Sequence, residues 1–278
     1  MTLTFSSSSN TLALENILKN TQSSLQKSMQ RLASGLKVNS AADGAAEMAI
    51  SNNMESTIRG YGMASSNIQA GISMVNSADS ALQGMVSHLQ NIKDIAIGAS
   101  NATTDTSGFA NYQAQLQAEI ASVNNIANNT KYGTNVLLDG SIASGSGLTL
   151  QIGPSSTDTL DIKAAFTDNK ASTLTITQNT LASNANATTL LGQVNAALDT
   201  VNANLANIGG YQNRLTDQLN YVTNAQSNIS AAQSSIRDTD VAQETATMTR
   251  LQIIQQAGAY ALAQANTSSQ IALSLLPK

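Results

Sequence analysis

Apolar residues recur along this chain in steps of three and four over most of its length. The series Leu198, Val201, Leu205, Ile208, Gln212, Leu215, Leu219, Val222, Gln226, Ile229, Gln233 and Ile236 runs unbroken, the spacing of a coiled-coil seam on a long helix. Nine of the twelve are Leu, Ile or Val and the three exceptions are all Gln, so the seam is interrupted by one kind of polar group. A second series, Ile68, Ile72, Val75, Ala78, Leu82, Met85, Leu89, Ile92 and Ala96, predicts a helix over about 41–99. A first helix carries Leu14, Leu18, Leu25, Met29, Leu32 and Leu36 and stops near Gly35, a residue suited to a left-handed cap. Ser40 stands three residues before Asp43, the spacing of a capping box, and is expected to open the second helix. A shorter helix over about 109–129 places Leu116, Ile120, Val123 and Ala127 on one face.

Between about 131 and 188 the period changes to two. Leu148, Leu150 and Ile152 alternate with polar residues, as do Leu160 and Ile162, and Leu174 and Ile176, with Gly140, Gly145, Gly147, Gly153 and Pro154 between them. This pattern predicts a small β insert of two or three hairpins, with helix again from Asp199. Asp240, followed by Gln243, is expected to cap a last helix after a break at 237–239. A helix of about 55 residues is roughly 80 Å long, whereas a compact globule of this length would be about 50 Å across. The fold expected is therefore mainly α: an elongated rod of long antiparallel coiled-coil-like helices from both chain halves, with a projecting β-hairpin insert. Residues 1–40 and 240–278 would form one discontinuous domain of terminal helices, and 41–239 the rod.

Composition decides what surfaces these helices present. Only 11% of the 278 residues are charged, against about 25% in an average domain. The seam from 198 to 236 holds only Asp199, Arg214 and Asp217, so ion pairs cannot set its register, and amides, hydroxyls and close Ala/Ser packing must do so. Residues 251–277 carry no charge at all, yet their Gln and Asn are too numerous for a membrane span. Leu251, Ile254, Ala257, Ala261 and Ala265 fall on one face at helical spacing. That face is expected to meet the first helix and then further copies of the chain. A monomeric helical bundle with a neutral polar surface is the other reading of this composition.

A net charge of −4 with 13 basic residues cannot supply the phosphate-neutralising stripe of a nucleic-acid binder. With no Cys and a single His, there is no thiol nucleophile and no zinc cluster, and neither enzyme activity nor a cofactor is expected. The start, MTLTFSSSSNTLALENILKN, lacks the basic and apolar regions of a cleaved signal peptide. Either the chain stays in the cytoplasm or it leaves by a route without signal cleavage. Asp238 and Asp240 read as caps rather than a metal pair. Ser144-Gly145-Ser146-Gly147 reads as a loop, since no Gly-Lys-Ser/Thr follows it.

The segments RLASGLKVNSAADGAAEMAIS (31–51) and GISMVNSADSALQGMVSHLQNIKDIAI (71–97) resemble the N-terminal region of bacterial flagellin. IRDTDVAQETATMTRLQIIQQAGAYALAQANTSSQIALSLL (236–276) is similar to its C-terminal region. The resemblance implies a subunit of the extracellular flagellar filament, exported unfolded through the flagellum's own type III channel. It also implies a homopolymer whose helpers are an export chaperone, a cap and hook-filament junction proteins. A junction protein of the same superfamily is the alternative identity. With only about 60 residues between the two regions, the chain departs from long flagellins in having no room for large outer domains.

Carried onto this sequence, the resemblance assigns subunit interfaces of the filament's inner core to Leu14, Leu18, Leu25, Leu32, Leu251, Ile254, Ala257, Ala261, Ala265, Leu273 and Leu276. It assigns the rod seam to Ile68, Val75, Leu82, Leu89, Leu205, Leu215, Leu219 and Val222. Leu89, Gln90, Asn91 and Ile95, with Glu119, match the surface bound by the innate receptor for flagellin. Asn91 stands where the family has a receptor-contacting arginine, which removes a bidentate, charge-assisted contact. His88, one residue from the seam, reads as a satisfied surface or core residue rather than a ligand.

Overall fold

The computed structural model describes residues 3–101, 104–144, 148–176 and 180–274, with side chains from 11 to 267 within them. In chain order the elements are α1 (Leu3–Ser34), α2 (Ala45–Ala99), α3 (Thr106–Asn129), β1 (Lys131–Tyr132), β2 (Asn135–Val136), a single turn α4 (Ser141–Ser144), β3 (Thr149–Gln151) and β4 (Thr159–Asp161). A 3-10 turn (Lys163–Ala165), α5 (Asn184–Arg237) and α6 (Val241–Ser274) complete the chain. The fold is mainly α, with long antiparallel helices from both chain halves and a small hairpin insert. Its compact units are Met1–Ser56 with Asn228–Lys278, and Thr57–Ser227. The helices break at 35–44 and 238–240, whereas the units divide inside α2, after the first break, and inside α5, before the second.

In the unit Thr57–Ser227 the α2 seam packs as its spacing requires: Ile68, Val75, Ala78, Leu82, Met85, Leu89 and Ile92 are buried, and only Ile72 remains partly open. From α5, Val201, Ile208, Leu215 and Val222 join the same core, with Leu205 and Leu219 partly buried against it. The helices run antiparallel. Gln212 Nε2 donates to Asn76 Oδ1 at 2.6 Å and Gln226 Nε2 to the Ile58 carbonyl at 3.5 Å. α5 begins at Asn184, well before the expected start. Ala187, Leu190, Val194 and Ala197 extend its buried stripe upstream, where alanines make the period hard to see. α3 is capped by Asp105, whose Oδ1 accepts the Gly108 N–H at 2.7 Å. That bond, helped by the Ser107 hydroxyl, holds the Asp105 carboxyl below its usual range.

Among the described residues the insert forms two hairpins, β1 with β2 and β3 with β4, each antiparallel, and Leu150 faces Leu160 across the second. Leu174 and Ile176 are not in a strand. Residues 171–175 turn, with the Leu174 N–H on the Lys170 carbonyl, the Ile176 N–H on that of Ala171, and Thr175 at φ 61°. Both side chains are buried, so their alternation reports burial without a ladder. The insert also does not project. Leu137, Leu138, Ile162 and Phe166 are fully buried in the core shared with α2 and α5, because a hairpin this short cannot cover its own apolar face. Gly60 permits the close approach: a Cβ there would sit 2.7 Å from Pro154 Cβ.

Amide side chains stitch the insert down. Asn67 Nδ2 donates to the Gln151 carbonyl at 3.1 Å, and Asn124 Oδ1 accepts the Ala171 N–H at 3.0 Å. Asn204 Nδ2 donates to Asn169 Oδ1 at 2.8 Å, and Asn169 Nδ2 passes a further bond to the Thr167 carbonyl at 2.8 Å. Buried amides without such partners would be strongly destabilising.

In the other unit α1 ends at Ser34, and Gly35, at φ 72°, donates its N–H to the Arg31 carbonyl at 2.8 Å. Asp43 Oδ2 accepts from Ser40 N and Ser40 Oγ, both at 3.0 Å, and from Asn39 N at 3.3 Å. These bonds close a separate turn, so α2 begins at Ala45 rather than at 41. Asp240 caps α6 as its spacing suggests, its Oδ1 accepting the N–H groups of Ala242 at 2.9 Å and Gln243 at 3.1 Å. Gln233 Nε2, from the end of α5, donates to the Ser51 carbonyl of α2 at 3.0 Å.

Candidate subunit interface

α1 and α6 pair antiparallel. Ser28 Oγ donates to the Glu244 carbonyl at 3.5 Å, and Leu18 lies against Gly258, where a Cβ would come within 2.9 Å of Leu18 Cδ2. From α1 the pair takes Thr21, Leu25 and Ser28, which are buried, and Leu14, Leu18 and Leu32, which are half-buried.

α6 answers with a stripe the sequence pattern does not reveal. Glu244, Met248, Leu251, Gln255, Gly258, Leu262 and Ala265 are half-buried at alternating steps of four and three, with Thr247 half-buried beside them. Leu251 and Ala265 belong to that stripe, but Ile254, Ala257 and Ala261 are exposed, which corrects the single face drawn from spacing. α6 has apolar residues all round it, and α1 selects the side where Gly258 lets the helices approach. Met29 of α1 likewise points outward. Leu273 lies in α6 without a described side chain, and Leu276, like residues 145–147, falls outside the described residues.

The pair therefore keeps an apolar exterior. Ile17, Val241 and Ile253 are exposed, and Tyr260 is 79% exposed. Val241, Thr245, Thr249 and Ile253 line an open, largely apolar groove along α6. Large exposed apolar patches mark interaction surfaces.

The rod-seam residues Ile68, Val75, Leu82, Leu89, Leu215 and Val222 are buried inside the chain. Of the receptor-matching set, Leu89 is fully buried in the core and presents nothing to a partner. Gln90 and Asn91 are exposed, while Ile95 is 8% exposed. Glu119 is engaged through both oxygens: Oε2 lies 2.6 Å from His88 Nδ1, and Oε1 accepts Asn91 Nδ2 at 3.3 Å. That pairing escapes sequence reading because it joins residues 31 apart on separate helices. Among the described residues no group of His, Asp and Glu could hold a metal ion, and no helix is long and apolar enough to cross a membrane.

Residues 5–143 match the family model for the bacterial flagellin N-terminal helical region, and residues 191–276 that for the C-terminal helical region. The chain is 34% identical to a flagellin of Halalkalibacterium halodurans over 90% of its own length and 91% of the relative's. It is also 34% identical to a flagellin of Bacillus subtilis, over 94% and 95%. Among solved structures it resembles a Bacillus cereus flagellin with a TM-score of 0.51 and 27% identity, covering 60% of this chain and 94% of that one. It also resembles a hook-associated protein described from Vibrio parahaemolyticus, with a TM-score of 0.59 and 13% identity, covering 70% and 100%; that likeness speaks to the fold alone.

Proposed function

The chain belongs to the bacterial flagellin family, and from that premise we propose how its surfaces serve it as a subunit of the flagellar filament. As a flagellin it is a structural protein and not an enzyme, and it polymerises with its own kind into the extracellular filament. Nothing among the matches favours a hook-filament junction protein.

Neighbouring subunits cover the outer face of the α1 and α6 pair. The observation that carries this reading is the exposure of Ile253, Ile254 and Tyr260 on a helix without a charged residue beyond Arg250. Ile254, Ala257 and Ala261 then lie between subunits, while Leu14, Leu18, Leu25, Leu32, Leu251 and Ala265 hold the pair together within one. Burying that face offsets the ordering entropy of the two helices at assembly. Contacts that repeat head to tail without closing a ring extend as a helix. Export without signal cleavage, an export chaperone, a distal cap and junction proteins at the base complete the assembly route. An innate receptor would find Gln90, Asn91 and the rim of Ile95, with Glu119 already engaged by His88.

The test is seeded growth. Purified chain added to sheared filament fragments should lengthen them under the electron microscope, and a variant lacking residues 251–278 should sediment as a monomer and add to none. A full-length chain that stays monomeric beside seeds at every concentration, or a truncated one that elongates them, would overturn this reading.

A further inference from the structure

We propose that the crossing of the two interhelix linkers, residues 35–44 and 238–240, is the positioning device from which α1 and α6 pair as a subunit joins the filament. The proposal rests on the polymer reading above. At the crossing Leu36 and Asp238 face each other as an antiparallel bridge. The Thr239 N–H donates to the Gly35 carbonyl at 2.9 Å and the Lys37 N–H to the Arg237 carbonyl at 2.6 Å. Asp43 adds a tie to α1: its Oδ1 lies 2.6 Å from Lys27 Nζ while its Oδ2 holds the turn at Ser40. One carboxylate thus fixes how α1 leaves the linker.

Two longer ion pairs flank the crossing, Arg31 with Glu244 at 3.8 Å and Arg237 with Glu55 at 3.6 Å. Both arginines keep a buried Nε without a hydrogen-bond partner, so backbone bonds and Asp43, not guanidinium forks, hold the linkers together. Burial along α1 is deepest one to three turns from the crossing and falls off toward the far end, with Leu32 beside the crossing half-buried. Ser28, Leu25 and Thr21 are buried, whereas Leu18, Leu14 and Thr11 are half-buried.

The physical reason is loop closure. α1 and α6 lie at opposite ends of the sequence, and bringing them together from free solution carries the full cost of closing the chain. Once the linkers are bonded, Ser34 and Val241 start their helices side by side, and each further turn adds contacts without another closure. The crossing is then the nucleus, and the outer turns of the pair form after it.

Rates separate the two stages. Thr239→Pro removes the N–H that bonds the Gly35 carbonyl, and should slow elongation of filament fragments about fivefold, with subunit loss from the tip unchanged. Asp43→Asn, which leaves the backbone bonds in place, should shift the rates in the same direction. Leu18→Ala, away from the crossing, should do the opposite: faster subunit loss at an unchanged elongation rate. Hydrogen exchange at Leu82 and Leu89 matching the wild type identifies variants whose larger unit is intact. Unchanged elongation in both Thr239→Pro and Asp43→Asn, or equal slowing by Leu18→Ala, would place the nucleus elsewhere and overturn the proposal. A wild-type chain that fails to elongate the fragments would instead overturn the polymer reading itself.

Discussion

Amide side chains take the part in this chain that charged residues take in ordinary coiled coils. Gln212, Gln226 and Gln233, the three exceptions in the α5 seam, each donate to α2, at Asn76, at the Ile58 carbonyl and at the Ser51 carbonyl. Their importance was legible, because nothing else polar interrupts the series. Their partners were not, since the pairing of two helices far apart in sequence depends on everything folded between them. Asn169 and Asn204 carried no signal at all; in a chain rich in Asn, only burial distinguishes them. Among the carboxylates Asp43 stands apart. Lys27 first, and then the Ser40 N–H, hold its carboxyl well below the usual range. A group lowered on folding lends stability above its unfolded pKa and loses it as pH falls through the folded one. The stability gap between wild-type and Asp43→Asn filaments, read by denaturant-driven disassembly, should be full at neutral pH and close in strong acid.

At the scale of elements, long helices were easy to read and their faces less so. The α2 and α5 seams are clear because Leu, Ile and Val stand out against polar neighbours. α6 is uncharged and rich in Ala and Gln, so more than one stripe satisfies a helical period, and only the partner decides between them. The insert teaches the same lesson for strands. β3 and β4 follow the alternation, while Leu174 and Ile176 are buried from a turn. Its seating on α2 depends on Gly60, where a Cβ would meet both Pro154 Cβ at 2.7 Å and its backbone Cα at 3.2 Å. Gly60→Ala should therefore cost the larger unit about 1–3 kcal/mol, measurable by thermal unfolding, despite the better helix propensity of alanine.

At the scale of the whole molecule the two compact units differ in what they can do alone. The unit Thr57–Ser227 buries a continuous core of Leu, Ile, Val and Phe, whereas the terminal unit leaves Ile17, Ile253, Ile254 and Tyr260 uncovered. Hydrogen exchange on the isolated chain should therefore find amides before about residue 40 and after about residue 240 unprotected, and should find them protected in filaments. Equal protection in both forms would mean that assembly and the ordering of the ends are separate events. The expectation that the two ends belong together was legible from the two matching terminal regions. The place where the units divide was not, because it falls inside uninterrupted helices.

The same reliance on neutral amides has an environmental consequence. Counter-ions screen charges but leave Gln212 on Asn76 and Asn204 on Asn169 untouched, so the melting temperature of the larger unit should change little between about 0.01 and 1 M sodium chloride. The ion pairs around the crossing, Lys27 with Asp43, Arg31 with Glu244 and Arg237 with Glu55, would register the brine more, and a propeller built mostly from neutral amides would keep its shape in fresh and saline water alike.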